Sequence, residues 1–356
     1  MMKILVASDK WKGSLSAPAA CAAIRRGLEA VWPSAEMIER PIADGGEGTA
    51  GALAKAGGGQ WIDATVTGPL GTPVEAGYAL LPDGTAVIEM AAAAGLVLTG
   101  GRLDPWRATT RGVGDLMAAA ARRGARRLIV GLGGSATNDG GAGMAAALGW
   151  EFEALPIASR VVKPPTVPWT IETLAACDVT NPLLGPRGCT RVFGPQKGVA
   201  ERDFAAFEQA LASLASFFPP EIAATPGAGA AGGLGFGLLA FCGARLVSGF
   251  GIVSDLLRLE DHVAAADLVV TGEGSLDDQT LDGKGPHGVA ALARRHGKPV
   301  VGVGGRVTEA ARPAFSLALA VSPPGLPLAE AMRRAPELIE SALREAAPEL
   351  RRLVGG

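Results

Sequence analysis

Glycine-rich loops that carry acidic or small hydroxylated residues recur along this chain, and most of them follow a short apolar run. The chain has 51 glycines but one tyrosine among its 356 residues, and many of the glycines stand in short clusters rather than in a regular repeat. Glycine clusters at strand ends let the backbone approach a ligand or another backbone closely. Open α/β sheets bind ligands at these strand ends. The pattern therefore predicts an α/β protein whose site is built from loops.

The order of the predicted elements indicates two α/β domains. Lys3–Ser8 predicts a first strand, Ser16 caps a helix, and the pattern turns antiparallel from Trp61 onward. Parallel α/β character returns with a strand at Asp267–Thr271, followed by a long polar loop. We therefore predict a doubly wound domain formed by residues 1–62 and 265–356. A second α/β domain, residues 63–264, is inserted into it.

Composition excludes several classes of partner. The formal net charge of −2 gives no field that would attract nucleic acid or an anionic membrane. The four cysteines form neither a CxxC pair nor a metal-binding spacing, which predicts buried, reduced thiols. The first strand reaches a charge too early for a signal peptide, and the weakly charged stretch Gly227–Val253 is too rich in glycine for a membrane span. We expect a cytoplasmic protein with no nucleic-acid or membrane partner.

Five loops contain the groups that phosphoryl transfer needs, namely backbone amides, cations, magnesium-binding carboxylates and a base or orienting group. The first, residues 8–14, offers Lys12 at the end of the first strand. The second, residues 43–49, places Asp44 and Glu47 on either side of a glycine pair before a helix, where anions are favoured. Capping of that helix is the alternative role for Asp44.

The other three loops also follow predicted strands. Residues 133–143 form a bed of glycines and small hydroxyls that suits either a carboxylate or a phosphate. Asp178 is predicted at a strand end as a base or metal ligand, with an ordinary turn aspartate as the alternative. In the fifth loop Glu273 and Asp277 are the magnesium candidates, and Lys284 stands just before a helix start.

Two familiar nucleotide-binding fingerprints are not met. Lys284 is followed by glycine where a Walker A loop needs Ser or Thr. Gly227–Gly232 spells GxGxxG, but prolines and not a strand precede it. Two other functions nevertheless remain open from the residues alone: a nucleotide-dependent dehydrogenase and a non-catalytic small-molecule binding protein.

The same loops resemble one family, the type I glycerate kinases, in order over about residues 2–305. The motifs that carry the resemblance are Lys12–Ser16, Ala43–Thr49, Gly133–Met144, Asn181–Pro186, Phe193–Gly198 and Thr271–Gly274. The resemblance implies a flavodoxin-like domain with an inserted domain like that of restriction endonucleases. It implies ATP and Mg²⁺ as cofactors and D-glycerate as substrate. It also implies transfer to the 2-hydroxyl, giving 2-phosphoglycerate, whereas the residues alone leave the attacked hydroxyl and the number of subunits open.

Site roles are predicted from loop position and residue type. Asp44 or Asp178 orients or deprotonates the glycerate hydroxyl, with Lys12 and Lys197 neutralising charge. Substrate- and nucleotide-binding residues are predicted to be Ser8, Asp9, Gly45, Gly46, Glu47, Gly133, Gly134, Ser135, Asn138, Asp139, Asn181, Gln196, Gln279 and Lys284. The chain departs from the family pattern at Ala7–Gly13 and between Phe152 and Ala176. The resemblance implies nothing for residues beyond Val307.

Overall fold

The structure is a computed structural model and describes residues 1–42, 48–154, 157, 160–277 and 285–355. The strands in chain order are β1 (Lys3–Ser8), β2 (Glu36–Glu39), β3 (Gln60–Thr67), β4 (Pro73–Leu80), β5 (Thr85–Glu89), β6 (Arg127–Gly131), β7 (Glu151–Glu153), β8 (Arg160–Lys163), β9 (Glu172–Ala176), β10 (Arg245–Val247), β11 (Leu268–Leu276), β12 (Val300–Val307) and β13 (Leu317–Ala320). The α-helices are α1 (Ala17–Glu29), α2 (Thr49–Ala56), α3 (Ala91–Ala94), α4 (Arg111–Arg122), α5 (Ala142–Ala147), α6 (Cys189–Phe193), α7 (Phe204–Ala215), α8 (Pro220–Ala224), α9 (Ala230–Cys242), α10 (Gly249–Leu256), α11 (Leu259–Ala265), α12 (Gly285–Arg295), α13 (Leu328–Arg333), α14 (Ala335–Glu345) and α15 (Ala347–Val354). The predicted α/β class is confirmed.

The chain divides into two compact units. The first contains Met1–Asp44 and Phe250–Gly356, and the second contains Gly45–Gly249. The first unit is therefore discontinuous in sequence. Its limits lie at other residues than the predicted domain boundaries at 62 and 265, and the assignment of folding domains stays a prediction.

The first unit is built on a parallel sheet of five strands in the order β2-β1-β11-β12-β13. Numbered within the unit, this is the order 2-1-3-4-5 of flavodoxin-like doubly wound sheets. Such sheets bind ligands outside the carboxyl ends of their strands, at the point where the strand order reverses. In this unit that point lies between β1 and β11.

Buried apolar side chains explain why β1 stands at the centre of this sheet. Ile4, Leu5 and Val6 are fully buried, as expected of a parallel strand that is covered on both faces. Ser16 caps α1 as predicted, because its side chain accepts a hydrogen bond from Ala19 N. Leu28 of α1 shares one hydrophobic core with the strands. The β1–α1 unit predicted from the sequence is confirmed.

The strand β11 is longer than predicted. The sequence predicts a strand that ends at Thr271, but β11 continues to Leu276. The extension forms because Glu273 pairs with Gly304 and Ser275 pairs with Arg306 of β12. The predicted loop is therefore wrong for residues 272–276, and Glu273 lies in a strand.

The second unit has a mixed sheet of six strands in the order β10-β9-β6-β5-β4-β3. The pairs from β3 to β5 are antiparallel and the pairs from β5 to β10 are parallel. A separate two-stranded sheet pairs β7 with β8. The antiparallel turn predicted at Pro82–Thr85 is confirmed, since Leu81 N donates to Thr85 O and Gly84 takes a positive φ.

Two predictions from composition can be compared with the structure. All four cysteines are free, and Cys21, Cys189 and Cys242 are buried, whereas Cys177 is half-buried. Burial raises the pKa of Cys21 and Cys242 to about 12 and that of Cys189 to about 11, so these three thiols stay protonated near neutral pH. Over the described ranges, every helix is too short or too polar to cross a bilayer.

Candidate functional site

A cavity of about 980 Å³ lies in the first unit, at the carboxyl ends of β1, β11 and β12. We call it the strand-end cavity. Its polar lining includes Asp9, Lys10, Lys12, Ser14, Glu273, Ser275, Asp277, Arg306 and Ser322. Four of the predicted site residues, Asp9, Lys12, Glu273 and Asp277, therefore come together at the point where the strand order reverses.

The end of β1 is tied firmly to β11. Asp9 N donates to Gly272 O at 2.8 Å, and Ser8 Oγ donates to the same oxygen at 2.8 Å. Ser8 is completely buried, so its hydroxyl positions the loop. Lys10 N donates to Asp9 Oδ1 at 2.6 Å. These bonds place the Asp9 carboxylate at the cavity wall.

The N-terminus of α12 approaches the same carboxylate. A Cβ added at Gly285, the first residue of α12, would stand 3.0 Å from Asp9 Oδ2. A glycine there lets the helix end come close to Asp9. Backbone amides and the helix dipole make this end attractive to anions. The helix end therefore favours the charge of Asp9, while the exposed Lys12 supplies an ammonium group to the cavity lining.

Glu273 and Asp277 are both half-buried and line the strand-end cavity together. Among the residues that the structure describes, no group of three or more His, Cys, Asp or Glu side chains is arranged to hold a metal ion. Mg²⁺ in phosphate-binding enzymes is usually held by one or two carboxylates plus phosphate oxygens and water. The carboxylates present fit that donor set, and their role as ligands stays a prediction.

The predicted loop that follows β6 in the second unit is buried from Ser135 to Gly143. Asp139 is 1% exposed and accepts hydrogen bonds from Thr110 N and Thr110 Oγ1, both at 2.8 Å, and from the amides of Gly141 and Gly143. Burial raises the pKa of the Asp139 carboxyl, while these hydrogen bonds act in the opposite direction. This placement favours a structural role for Asp139.

Lys197 lies in the same region and is 1% exposed. Its Nζ donates to Thr137 O at 2.7 Å. Burial lowers the pKa of Lys197 to about 8, although electrostatic interaction with the side chains of Cys189 and Asp139 opposes the shift. Lys197 therefore holds a proton that it can lose just above neutral pH.

Two polar atoms beside Lys197 have unused hydrogen-bonding capacity. Asn138 Nδ2 donates to Thr190 Oγ1 at 2.9 Å, but Asn138 Oδ1 and Thr137 Oγ1 are buried without a partner among the described residues. Buried polar atoms without partners are rare and often mark functional positions. We call Thr137, Asn138, Asp139, Thr190 and Lys197 the buried loop cluster.

The other predicted residues of the second unit lie in different settings. Asp178 is half-buried, and its Oδ1 accepts from Ser248 Oγ at 3.1 Å and from Gly249 N at 2.9 Å. Asn181 Nδ2 donates to Arg187 O at 2.7 Å. Ser135 is buried, Gly133 is half-buried, and Gly134 and Gln196 are exposed. Six predicted residues lie outside the described residues: Asp44, Gly45, Gly46, Glu47, Gln279 and Lys284.

The GxGxxG segment packs against the predicted loop. Ala231, Gly232 and Gly233 have positive φ values, and a Cβ at Gly232 would collide with the Thr137 carbonyl. The segment follows helix α8, and no strand intervenes in this fully described stretch. A dinucleotide-binding turn needs a preceding strand, so the structure does not support a dehydrogenase. The close packing that these glycines permit explains their number.

Sequence reasoning missed Glu89, at the end of β5. Its carboxylate accepts from Gly48 N at 3.0 Å and from Ala50 N at 2.6 Å, which satisfies amides at the start of α2. The cap residue itself is Gly48, which supplies no side chain. The only sequence signal was an acid that directly follows the apolar residues of a strand. The sequence pattern does not predict which amide Glu89 accepts from, because Ala50 lies 39 residues earlier in the chain.

Comparison with known proteins gives a consistent result. Residues 4–351 match the model of the glycerate kinase family. A glycerate kinase of Bacillus subtilis (strain 168) is 41% identical, with 98% of each chain covered. A glycerate 2-kinase of Escherichia coli (strain K12) is 43% identical, with 86% of each chain covered. A crystal structure from Salmonella typhimurium LT2, of a protein provisionally described as glycerate kinase 2, is 40% identical with a TM-score of 0.86 and covers 99% of this chain and 98% of that one.

Proposed function

This chain belongs to the glycerate kinase family, and from that premise we propose that it transfers the γ-phosphoryl group of ATP to the 2-hydroxyl of D-glycerate. The products are 2-phosphoglycerate and ADP. The name of the Escherichia coli relative, glycerate 2-kinase, supports the choice of hydroxyl. Family membership also favours an enzyme over a non-catalytic binding protein.

The strand-end cavity is the observation that carries the proposal. Phosphoryl transfer depends on positioning and on electrostatic stabilisation of the phosphates rather than on covalent chemistry by the protein. Asp9, Lys12 and Glu273 line one cavity at the reversal point of a doubly wound sheet. Cations and carboxylates therefore meet where this type of sheet binds ligands.

Glu273 and Asp277 are the residues that would hold Mg²⁺ in this proposal, with Asp9 in the same wall. A bound Mg²⁺ would neutralise charge on the phosphate oxygens during transfer. Lys12 is exposed in the cavity lining and binds the phosphates electrostatically.

The acceptor hydroxyl needs a group that orients it or takes its proton. Asp178 and Asp44 are our candidates for that role. The charge-neutralising role of Lys197 stays a prediction, because its side chain is 1% exposed and donates to Thr137 O. Asp178 is fixed by donors from Ser248 and Gly249, which leaves its carboxylate in a defined orientation. A cytoplasmic location and the absence of nucleic-acid and membrane partners stay predictions from the sequence.

A coupled assay tests the proposal directly. The pure protein is incubated with ATP, Mg²⁺ and D-glycerate, and enolase is added to detect 2-phosphoglycerate by the absorbance of phosphoenolpyruvate. We expect a signal that requires both ATP and glycerate and that needs no added phosphoglycerate mutase. A signal that depends on the mutase would assign the product as 3-phosphoglycerate. Absence of ADP release in the complete mixture would refute the proposed activity.

A further inference from the structure

The strand-end cavity has a second wall of a different chemical character. Besides the charged lining, it is bounded by apolar side chains from the turn after β13 and from α13: Val321, Pro323, Pro324, Leu326, Leu328 and Met332. Leu328 lines this wall and is 68% exposed, so its side chain is open to solvent. One cavity therefore joins a charged end to an apolar end.

Hydrogen bonds fix the apolar wall to the strands that carry the charged end. Val321 N donates to Gly304 O at 2.9 Å, and Ser322 N donates to Gly305 O at 3.2 Å. From the other side, Ser14 Oγ donates to Met332 O at 2.6 Å. The wall is therefore held in place by β12 and by the loop that follows β1, which is the geometry of a preformed site.

Trp11 adds an independent observation in the same lining. Its side chain is 3% exposed and belongs to the cavity wall, yet its Nε1 donor has no acceptor within the described part of the chain. Buried indole N–H groups usually find a hydrogen-bond partner. Because that nitrogen has almost no accessible surface, Trp11 contributes its apolar ring to the wall and not a hydrogen bond to a ligand.

Size and polarity select the ligand. Glycerate is a small acid that carries a polar group on every carbon, so it gains nothing from an aliphatic and proline-rich wall and would fill little of about 980 Å³. A purine nucleoside has a flat ring with apolar faces and a ribose that leads to charged phosphates. Such a ligand matches a cavity with one apolar and one charged end.

We propose that the apolar wall formed by residues 321–332 binds the base and ribose of the nucleotide, while the phosphates lie toward Asp9, Lys12 and Glu273. This inference rests on the proposed kinase function and assigns the nucleotide to the first unit. It also gives a role to a segment beyond Val307, for which the sequence implied none.

The decisive variant fills the cavity. Ser322 is half-buried in the lining, so Ser322→Trp places a large ring where the nucleoside is proposed to bind. Ser341→Trp, on the exposed face of α14 in the same unit, is the matched control. We expect Ser322→Trp to raise the Kd for ADP, measured by calorimetry, and the KM for ATP by at least about tenfold. The KM for glycerate should change less than about twofold, and the control should resemble wild type.

A milder variant keeps the test valid if Ser322→Trp does not fold. Leu328→Ser removes an exposed apolar side chain from the wall, and Val97→Ser, at a position 82% exposed in the second unit, is its control. We expect Leu328→Ser to raise the Kd for ADP by about threefold, because part of one aliphatic contact is lost. Its melting temperature should match that of Val97→Ser.

The outcomes separate the inference from the proposed function. If wild type phosphorylates glycerate but Ser322→Trp raises the KM for glycerate alone, the cavity holds the acid and the inference is wrong. If neither folded variant changes ADP binding, the inference is also wrong. If wild type does not phosphorylate glycerate, the proposed function fails, and weaker ADP binding by the variants would still support the nucleotide site.

Discussion

The two clusters of polar residues have similar composition and opposite surroundings. In the strand-end cavity, Lys12 is exposed and Glu273 is half-buried, and both line open space. In the buried loop cluster, Asp139 and Lys197 are each 1% exposed and are bonded to protein groups. In the first unit, glycines beside a carboxylate therefore border an open cavity. In the second unit they let one backbone segment pack closely against another. The predictions below test this contrast.

The largest effect is expected from a charged residue of the cavity. Glu273→Gln should lower kcat by about 10²–10³-fold, because a proposed ligand of the Mg²⁺ that would neutralise phosphate charge is lost. The melting temperature should stay near that of wild type, since Glu273 is only half-buried. Steady-state kinetics across a range of Mg²⁺ concentrations measures both kcat and the metal requirement.

Glu337→Gln is the control, because that side chain is 76% exposed on α14 in the same unit. Wild-type kcat and an unaltered Mg²⁺ requirement for Glu273→Gln would remove Glu273 from the proposed metal site. The strand-end cavity would then differ from the buried loop cluster in solvent exposure, but Glu273 would have no role in metal binding.

Burial of Lys197 in the buried loop cluster should make the free energy of unfolding depend on pH. The pKa of Lys197 is about 8 in the folded protein and near its ordinary value of 10.5 in the unfolded chain. Between these values the unfolded chain binds more protons than the native protein, so the contribution of Lys197 to the free energy of unfolding rises with pH. The burial cost is fully present below pH 8 and is relieved above it.

Urea unfolding of wild type and Lys197→Met from pH 7 to pH 10 measures this effect, since groups distant from Lys197 titrate alike in both. We expect the wild-type free energy of unfolding to gain about 2–3 kcal/mol relative to the variant over that range. A difference that stays constant with pH would mean that Lys197 titrates as a solvated side chain, and the contrast between the two clusters would fail.

A smaller effect is expected from the glycine that lets the cluster close. Gly232→Ala places a Cβ against the Thr137 carbonyl at a positive φ, so we expect a loss of about 2 kcal/mol in the free energy of unfolding. Gly243→Ala is the matched control, because Gly243 also has a positive φ but a Cβ there meets nothing within 4 Å. Equal losses for both variants would show that φ alone, and not the close approach, sets the cost.

The start of the first unit, β1 and α1, was predictable from the sequence, whereas the end of β11 was not. Short apolar runs and a serine cap sufficed for β1 and α1, because local patterning and burial agree there. The end of β11 was predicted wrongly, because pairing with β12 overrides the low strand propensity of its glycines and acid. Local pattern carries no information about a partner strand that is chosen by the tertiary fold.

The sequence predicted which residues belong to the candidate sites, but it did not predict whether each one is buried or exposed. Residue type and loop position selected Asp9, Glu273 and Lys197, but nothing in the pattern distinguished an open cavity from a closed cluster. Burial depends on neighbours distant in sequence, such as the Thr137 carbonyl that meets Lys197 Nζ across 60 positions. Glu89 was missed for the same reason. The amides that donate to it stand at the start of α2, about 40 residues before Glu89 in the sequence.

The discontinuous sheet has a consequence for biosynthesis. Lys3 and Asp267, which flank the β1–β11 pair, are joined by a hydrogen bond over a sequence separation of 264 residues. During translation β1 therefore waits on the order of tens of seconds for its central neighbour to leave the ribosome. Over that interval β1 lacks the backbone hydrogen bonds that β11 supplies in the folded protein.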